Sequence, residues 1–135
     1  MRSRRTFFRK AAGFVTLASA GPALYAAAPA GKDQGSFIHV VFFWLKDDRA
    51  ETRSKFEAEL RPFIEGVKEI RSRHIGTPAD TDREVIDNSW DYSLVLGFDS
   101  KKEHDIYQDH PLHKQFIENA SALWTKVQVY DSVSS

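Results

Sequence analysis

The chain has no cysteine in 135 residues, which excludes disulfides, thiolate metal sites and cysteine nucleophiles together. It also lacks a basic surplus. Its 19 Lys and Arg balance 19 Asp and Glu, but Arg2, Arg4, Arg5, Arg9 and Lys10 crowd the first thirty positions, where there is no acid. Residues 31–135 therefore carry a net charge of about −5, and a nucleic-acid partner, which needs a basic footprint, is not expected. No stretch provides the roughly 20 uninterrupted apolar residues of a spanning helix. A phosphate-binding glycine loop, a serine elbow and a nucleotide fingerprint are absent too. After Gly31 there is no repeat, low-complexity tract or internal linker. The length suits one domain and not comfortably two.

What is present begins with Ser3-Arg4-Arg5-Thr6-Phe7-Phe8-Arg9-Lys10, followed by a weakly apolar, alanine-rich stretch broken by Gly13, Gly21 and Pro22. A basic head, such a stretch and the small residues of Ala28-Pro29-Ala30 make a secretory signal. The arginine pair with Phe7-Phe8 and Lys10 is similar to the twin-arginine export signal of bacteria. The organisation expected is a signal over 1–30 with cleavage after Ala30, a polar leader over 31–35 and one domain over 36–133. The mature protein would be periplasmic or extracellular, with no stable membrane insertion once the signal is removed. The lack of cysteine costs nothing in an oxidising compartment.

Phe37-Ile38-His39-Val40-Val41-Phe42-Phe43-Trp44-Leu45 is apolar at nearly every position and predicts a strand buried on both faces. His39 shares one face with Val41, Phe43 and Leu45, while Ile38, Val40, Phe42 and Trp44 take the other. Asp48-Arg49-Ala50-Glu51 has capping-box spacing, and Phe56, Leu60, Phe63, Ile64 and Val67 then form one helical stripe. Pro62 is expected to kink that helix or end its regular part, and Gly66 to stop it. Ile70 to Gly76 reads as a second, more polar strand, 79–89 as a solvated acid-rich loop, and Trp90 to Phe98 as a third strand. Trp90, Tyr92, Leu94, Leu96 and Phe98 share a face there. Ser100-Lys101-Lys102-Glu103 is a capping box opening a second helical region. Trp124 to Tyr130 alternates polar and apolar as the last strand. The first and last strands are rich enough to be central or barrel-forming. The order β-α-β-β-α-β is the split βαβ arrangement of an α+β, ferredoxin-like protomer.

The second helical region is interrupted at Tyr107-Gln108-Asp109-His110-Pro111-Leu112-His113. Proline cannot continue a helix but can begin one, so Asp109 or His110 reads as a structural cap and Leu112 to Leu123 as a fresh helix. Tyr107, His110 and His113 then gather around one helix-to-helix joint. A metal reading would draw on His104, His110 and His113 with Asp105 or Asp109. Pro111 distorts that turn and no third ligand is evident, so neither metal nor cofactor is expected.

At this point the residues resemble the stress-responsive A/B barrel family of dimeric α/β barrel proteins. The resemblance covers about residues 36–133. It rests on Ile38-His39-Val40-Val41-Phe42, Phe98-Asp99-Ser100, the tyrosine, histidine-proline and second histidine of Tyr107 to His113, Phe116, and Val129-Tyr130-Asp131. It implies a homodimer in which two four-stranded sheets close a barrel with helices outside, and a cavity between sheet and helices in each protomer. One branch of the family, the plant polyketide cyclases, performs an aldol cyclisation without metal or cofactor. The resemblance carries its catalytic histidine onto His113, its tyrosine onto Tyr107 and its first-strand histidine onto His39. A third-strand histidine of that branch falls at about Tyr92, a departure from the pattern.

Those positions have a coherent chemistry. A neutral His113 can take a proton from carbon beside a carbonyl, Tyr107 can hydrogen-bond the enolate oxygen that forms, and His39 can orient a carbonyl or hold a neighbour's tautomer. Aromatic residues among Phe42, Phe43, Trp44 and Trp124 would favour an apolar ligand. The reading is an exported homodimer holding a small, partly apolar carbonyl or aromatic compound, with Tyr92, Phe43 and Trp124 as ligand contacts. Two alternatives stand beside it: a structural stress protein whose role is a stable dimer or larger oligomer, and a cofactor-free monooxygenase.

Overall fold

Strand β1, Phe37–Leu45, lies inside the sheet, and the other elements are arranged about it. The structure, a computed structural model, describes residues 34–135; the expected export signal over 1–30 and the start of the leader lie outside the described residues. Helix α1 spans Ala50–Gly66, β2 Ser72–Gly76, β3 Tyr92–Phe98, α2 Lys101–Asp109, α3 Pro111–Ala120 and β4 Trp124–Val133, with a 3₁₀ turn at Ser121–Leu123 before β4. The four strands form one sheet in the order β2-β3-β1-β4, with every neighbouring pair antiparallel. This is the expected α+β, ferredoxin-like order, with its second helical region in two pieces. Among the described residues no helix is long and apolar enough to cross a membrane.

The helices cover one face of the sheet. Phe37, His39, Val41, Phe43 and Leu45 point to that face and are buried, as the period of two requires. They meet Phe56, Leu60, Phe63, Ile64 and Val67 of the α1 stripe, with Phe116 and Ala120 of α3. Phe43, Phe56, Phe63, Phe116 and Trp124 pack edge-to-face and stacked, with centroids 4.9–6.3 Å apart, the separations at which aromatic pairs add to simple burial. Within one chain the opposite row, Ile38, Val40, Phe42 and Trp44, is only half-buried, so the expected burial of β1 on both faces is met on one. Strand β4 is at the sheet's edge and largely exposed.

One local expectation is corrected and two are sharpened. Asp48 does not cap α1: Asp47 accepts from the Arg49 amide and the Thr52 hydroxyl instead, one residue earlier than the spacing suggested. Of the two outcomes expected at Pro62, an end to the helix is not the one seen: α1 runs through it to Gly66, the expected stop. The proline stands on the exposed side, where the carbonyl left without an intrahelical donor meets water. The loop over 79–89 is solvated, but its end returns to the uncovered sheet face, where Ser89 accepts from the Trp44 indole at 3.1 Å and Trp90 packs on Phe42.

Candidate functional site

The joint between α2 and α3 is built by one side chain. His110 is extended (φ −63°, ψ 136°), and its Nδ1 accepts the Leu112 amide at 3.1 Å, with Pro111 as the first residue of α3. A side-chain acceptor for an orphan amide is what a helix start needs, and proline there removes a second orphan amide. Between the two candidates for the cap, His110 fills the position, and Asp109 is the last residue of α2. Because Nδ1 accepts, the neutral His110 ring carries its proton on Nε2.

The joint turns Tyr107 and His113 toward each other, with ring centroids 4.8 Å apart. His113 Nδ1 lies 3.0 Å from the Gln108 carbonyl oxygen. A carbonyl only accepts, so Nδ1 carries the proton and Nε2 keeps a lone pair. Burial lowers the His113 pKa below 6.5, only partly offset by that hydrogen bond, so the ring is neutral at pH 7. Tyr107 is 2 % exposed. Burial first, and the Asp131 charge second, push its phenol well above the ordinary value. It stays protonated and can act only as a donor or neutral partner.

A cavity of about 200 Å³ opens beneath the joint. His39 from β1, Tyr107 from α2 and His113 from α3 all line it, with Phe43 and Trp124 among its aromatic walls and Phe63, Phe116, Val127 and Val129 among the rest. Three candidates spread over 75 positions of sequence thus share one space. Phe42 and Trp44 do not line it, because their places in β1 point them to the opposite face of the sheet, where they border a separate hollow with Trp90 and Tyr130. Tyr92 is the other correction. It is buried, packs on Phe56 and donates its hydroxyl to Glu57 Oε1 at 2.7 Å, so its polar end is spent on α1 and it is not a cavity contact.

Two residues enter that sequence reasoning had not placed here. Asp131 Oδ1 is 2.6 Å from His39 Nδ1. The pairing of β1 with β4 sets these residues opposite each other, and a carboxylate at that distance holds the proton on Nδ1. Burial lowers the His39 pKa more than Asp131 raises it. His104, on α2, is buried with its ring stacked on Phe37 at 4.4 Å and 4.9 Å from His39. The Gln108 side chain binds its Nε2 at 3.1 Å, and burial lowers its pKa as well. The signal for Asp131 was its offset from His39 across two antiparallel strands, legible only once β4 is paired with β1. The metal set drawn from His104, His110 and His113 is not assembled: among the described residues, the His104 ligand atom converges with those of His39 and Asp131 instead.

Residues 37–134 match the sequence profile of the stress responsive A/B barrel domain. Among solved structures, a ferredoxin-like Dabb-family protein from Mesorhizobium loti superposes with a TM-score of 0.64 at 19% identity, over 76% of this chain and 99% of that one. A dimeric ferredoxin-like protein of unknown function from Thermobifida fusca gives 0.59 at 18% identity, over 75% and 93%. A hydroxynitrile lyase from Passiflora edulis gives 0.61 at 16% identity, over 76% and 95%. No curated protein sequence matches the chain.

Proposed function

We propose, from the premise that this chain belongs to the stress-responsive A/B barrel domain family, that it is an exported homodimer whose cavity binds a small, partly apolar carbonyl or aromatic compound and moves a proton on it. The observation that carries this reading is the meeting of His39, Tyr107 and His113 in one apolar-walled cavity of about 200 Å³. A cavity of roughly 150 Å³ holds a benzene ring, so a single-ring compound or a short ketone is the size that fits.

The chemistry follows from the protonation states. His113 Nε2, unprotonated, takes a proton from the carbon beside the carbonyl. Tyr107, held protonated, donates a hydrogen bond to the enolate oxygen as charge builds there. His39, its ring 5.5 Å from that of Tyr107 and held by Asp131, orients the carbonyl. The same base and donor serve carbon–carbon bond formation or cleavage, and the Passiflora edulis neighbour is a lyase on this fold. The homodimer is supported by the half-covered sheet face of Ile38, Val40, Phe42 and Trp44, together with the exposed Tyr130, a face that a second sheet would bury. Export rests on the twin-arginine-like head and the Ala28-Pro29-Ala30 cleavage pattern.

The test is deuterium exchange. Acetophenone and small cyclic ketones are incubated with the protein in D₂O, and NMR follows the protons beside the carbonyl. Exchange well above the buffer rate is expected, with a loss of about 100-fold or more in His113→Ala. Exchange no faster than buffer, or equal in that variant, rejects the general base.

A further inference from the structure

His39, His104 and Asp131 each bring one ligand atom to within 4.8 Å of the other two. We propose that these three side chains form a binding site for a divalent transition ion of the zinc class, with a fourth coordination position left for water. This goes beyond the proton-transfer reading, which uses His113, Tyr107 and His39 but no ion.

The donor set is two imidazoles and one carboxylate. That combination suits zinc and its first-row neighbours, and three protein ligands leave a fourth position for water or a substrate oxygen. Magnesium and calcium prefer all-oxygen shells, so they are the wrong class. Around a tetrahedral zinc with bonds near 2.0–2.1 Å, ligand atoms stand about 3.3 Å apart. The present spread therefore contracts by up to about 1.5 Å on loading, while the Asp131–His39 contact at 2.6 Å opens slightly. The Asp131 side chain is 41% exposed and has the freedom to do this, and it gives the ion a route from solvent.

The rings are held by packing. His104 is stacked on Phe37 and packed against Phe98, and His39 is wedged between His104 and Tyr107. Both are buried, and the ion displaces the proton that His39 Nδ1 gives to Asp131, because imidazole ligates through an unprotonated nitrogen and metal binding releases the proton to solvent. His39 is also a wall of the cavity, so the ion would sit next to that space.

The test uses the full chain, stripped with EDTA, and ZnCl₂ in competition with a chromophoric chelator. One zinc per chain is expected. His104→Phe, which keeps the aromatic packing, and Asp131→Asn, at the exposed sheet edge, should each weaken binding at least 10-fold. His74→Ala, at an exposed histidine of β2, should leave it unchanged. Cobalt in place of zinc should give visible absorption in the native protein and lose it in His104→Phe. Equal affinity of the native protein and Asp131→Asn overturns the site, as does the absence of any binding to the native protein. None of these readouts depends on turnover, so the site and the general-base reading stand or fall separately.

Discussion

At the scale of single residues, the proposed chemistry rests on which ring nitrogen carries a proton. His113 gives Nδ1–H to the Gln108 carbonyl and keeps Nε2 as a base; His110 does the reverse, spending Nδ1 as an acceptor in the cap. Two histidines three positions apart are thus made chemically different by the backbone groups they meet. Tyr107→Phe should lower α-proton exchange by about 10- to 100-fold through loss of one oxyanion-type donor, with circular dichroism unchanged because the ring packing is kept. The buried histidines also set a pH dependence. His39, His104 and His113 all have folded-state pKa values below 6.5, so the unfolded chain takes up protons first as pH falls. The stability they contribute is fully present above pH 6.5 and is lost as pH drops through the depressed values. Thermal melts between pH 7 and pH 5 should show a falling midpoint, with a shallower fall in His104→Phe. A midpoint that rises on acidification contradicts the assignment.

At the scale of elements, the interrupted helix positions the site. His110→Ala leaves the Leu112 amide without its acceptor and should cost about 1 kcal/mol, a drop of roughly 4–8 °C in melting temperature for a domain of about 100 residues. Exchange activity should fall as well, because the cap sets the angle at which α3 delivers His113. A second constraint lies at the start of β1. Gly97 in β3 is passed so closely by the Gln34 carbonyl and the Ser72 side chain that a Cβ has no room. Gly97→Ala should cost at least 1–3 kcal/mol, read by urea unfolding, since backbone rather than a flexible side chain blocks it. A variant as stable as the native chain would show that this strand entry is looser than the structure describes.

At the scale of the molecule, one sheet face is sealed by helices and the other is half-open and apolar. Val40→Lys places a charge at the centre of the open row without touching the core on the helix side. Native mass spectrometry should show dimers for the native protein and monomers for this variant, with circular dichroism of the fold preserved. A native protein that stays monomeric at micromolar concentration would remove the homodimer from the proposal.

The sequence by itself determined whatever depends on near neighbours. The period of two in β1, the stripe from Phe56 to Val67 and the break at His110-Pro111 are local patterns, and each reappears in the structure on the face or at the joint it implied. Resemblance pointed further, to His39, Tyr107 and His113 as a group, and the fold places them in one cavity. Tertiary structure decided the rest. Only the register of β4 on β1 sets Asp131 against His39, and only the packing of α2 on the sheet makes His104 a buried neighbour of His39. Tyr92 went astray for the same reason. Strand periodicity told which face it shared, but not that Glu57 of α1 would take its hydroxyl. Pairing partners distant in sequence are chosen by the whole core at once, and no window of the chain contains that choice.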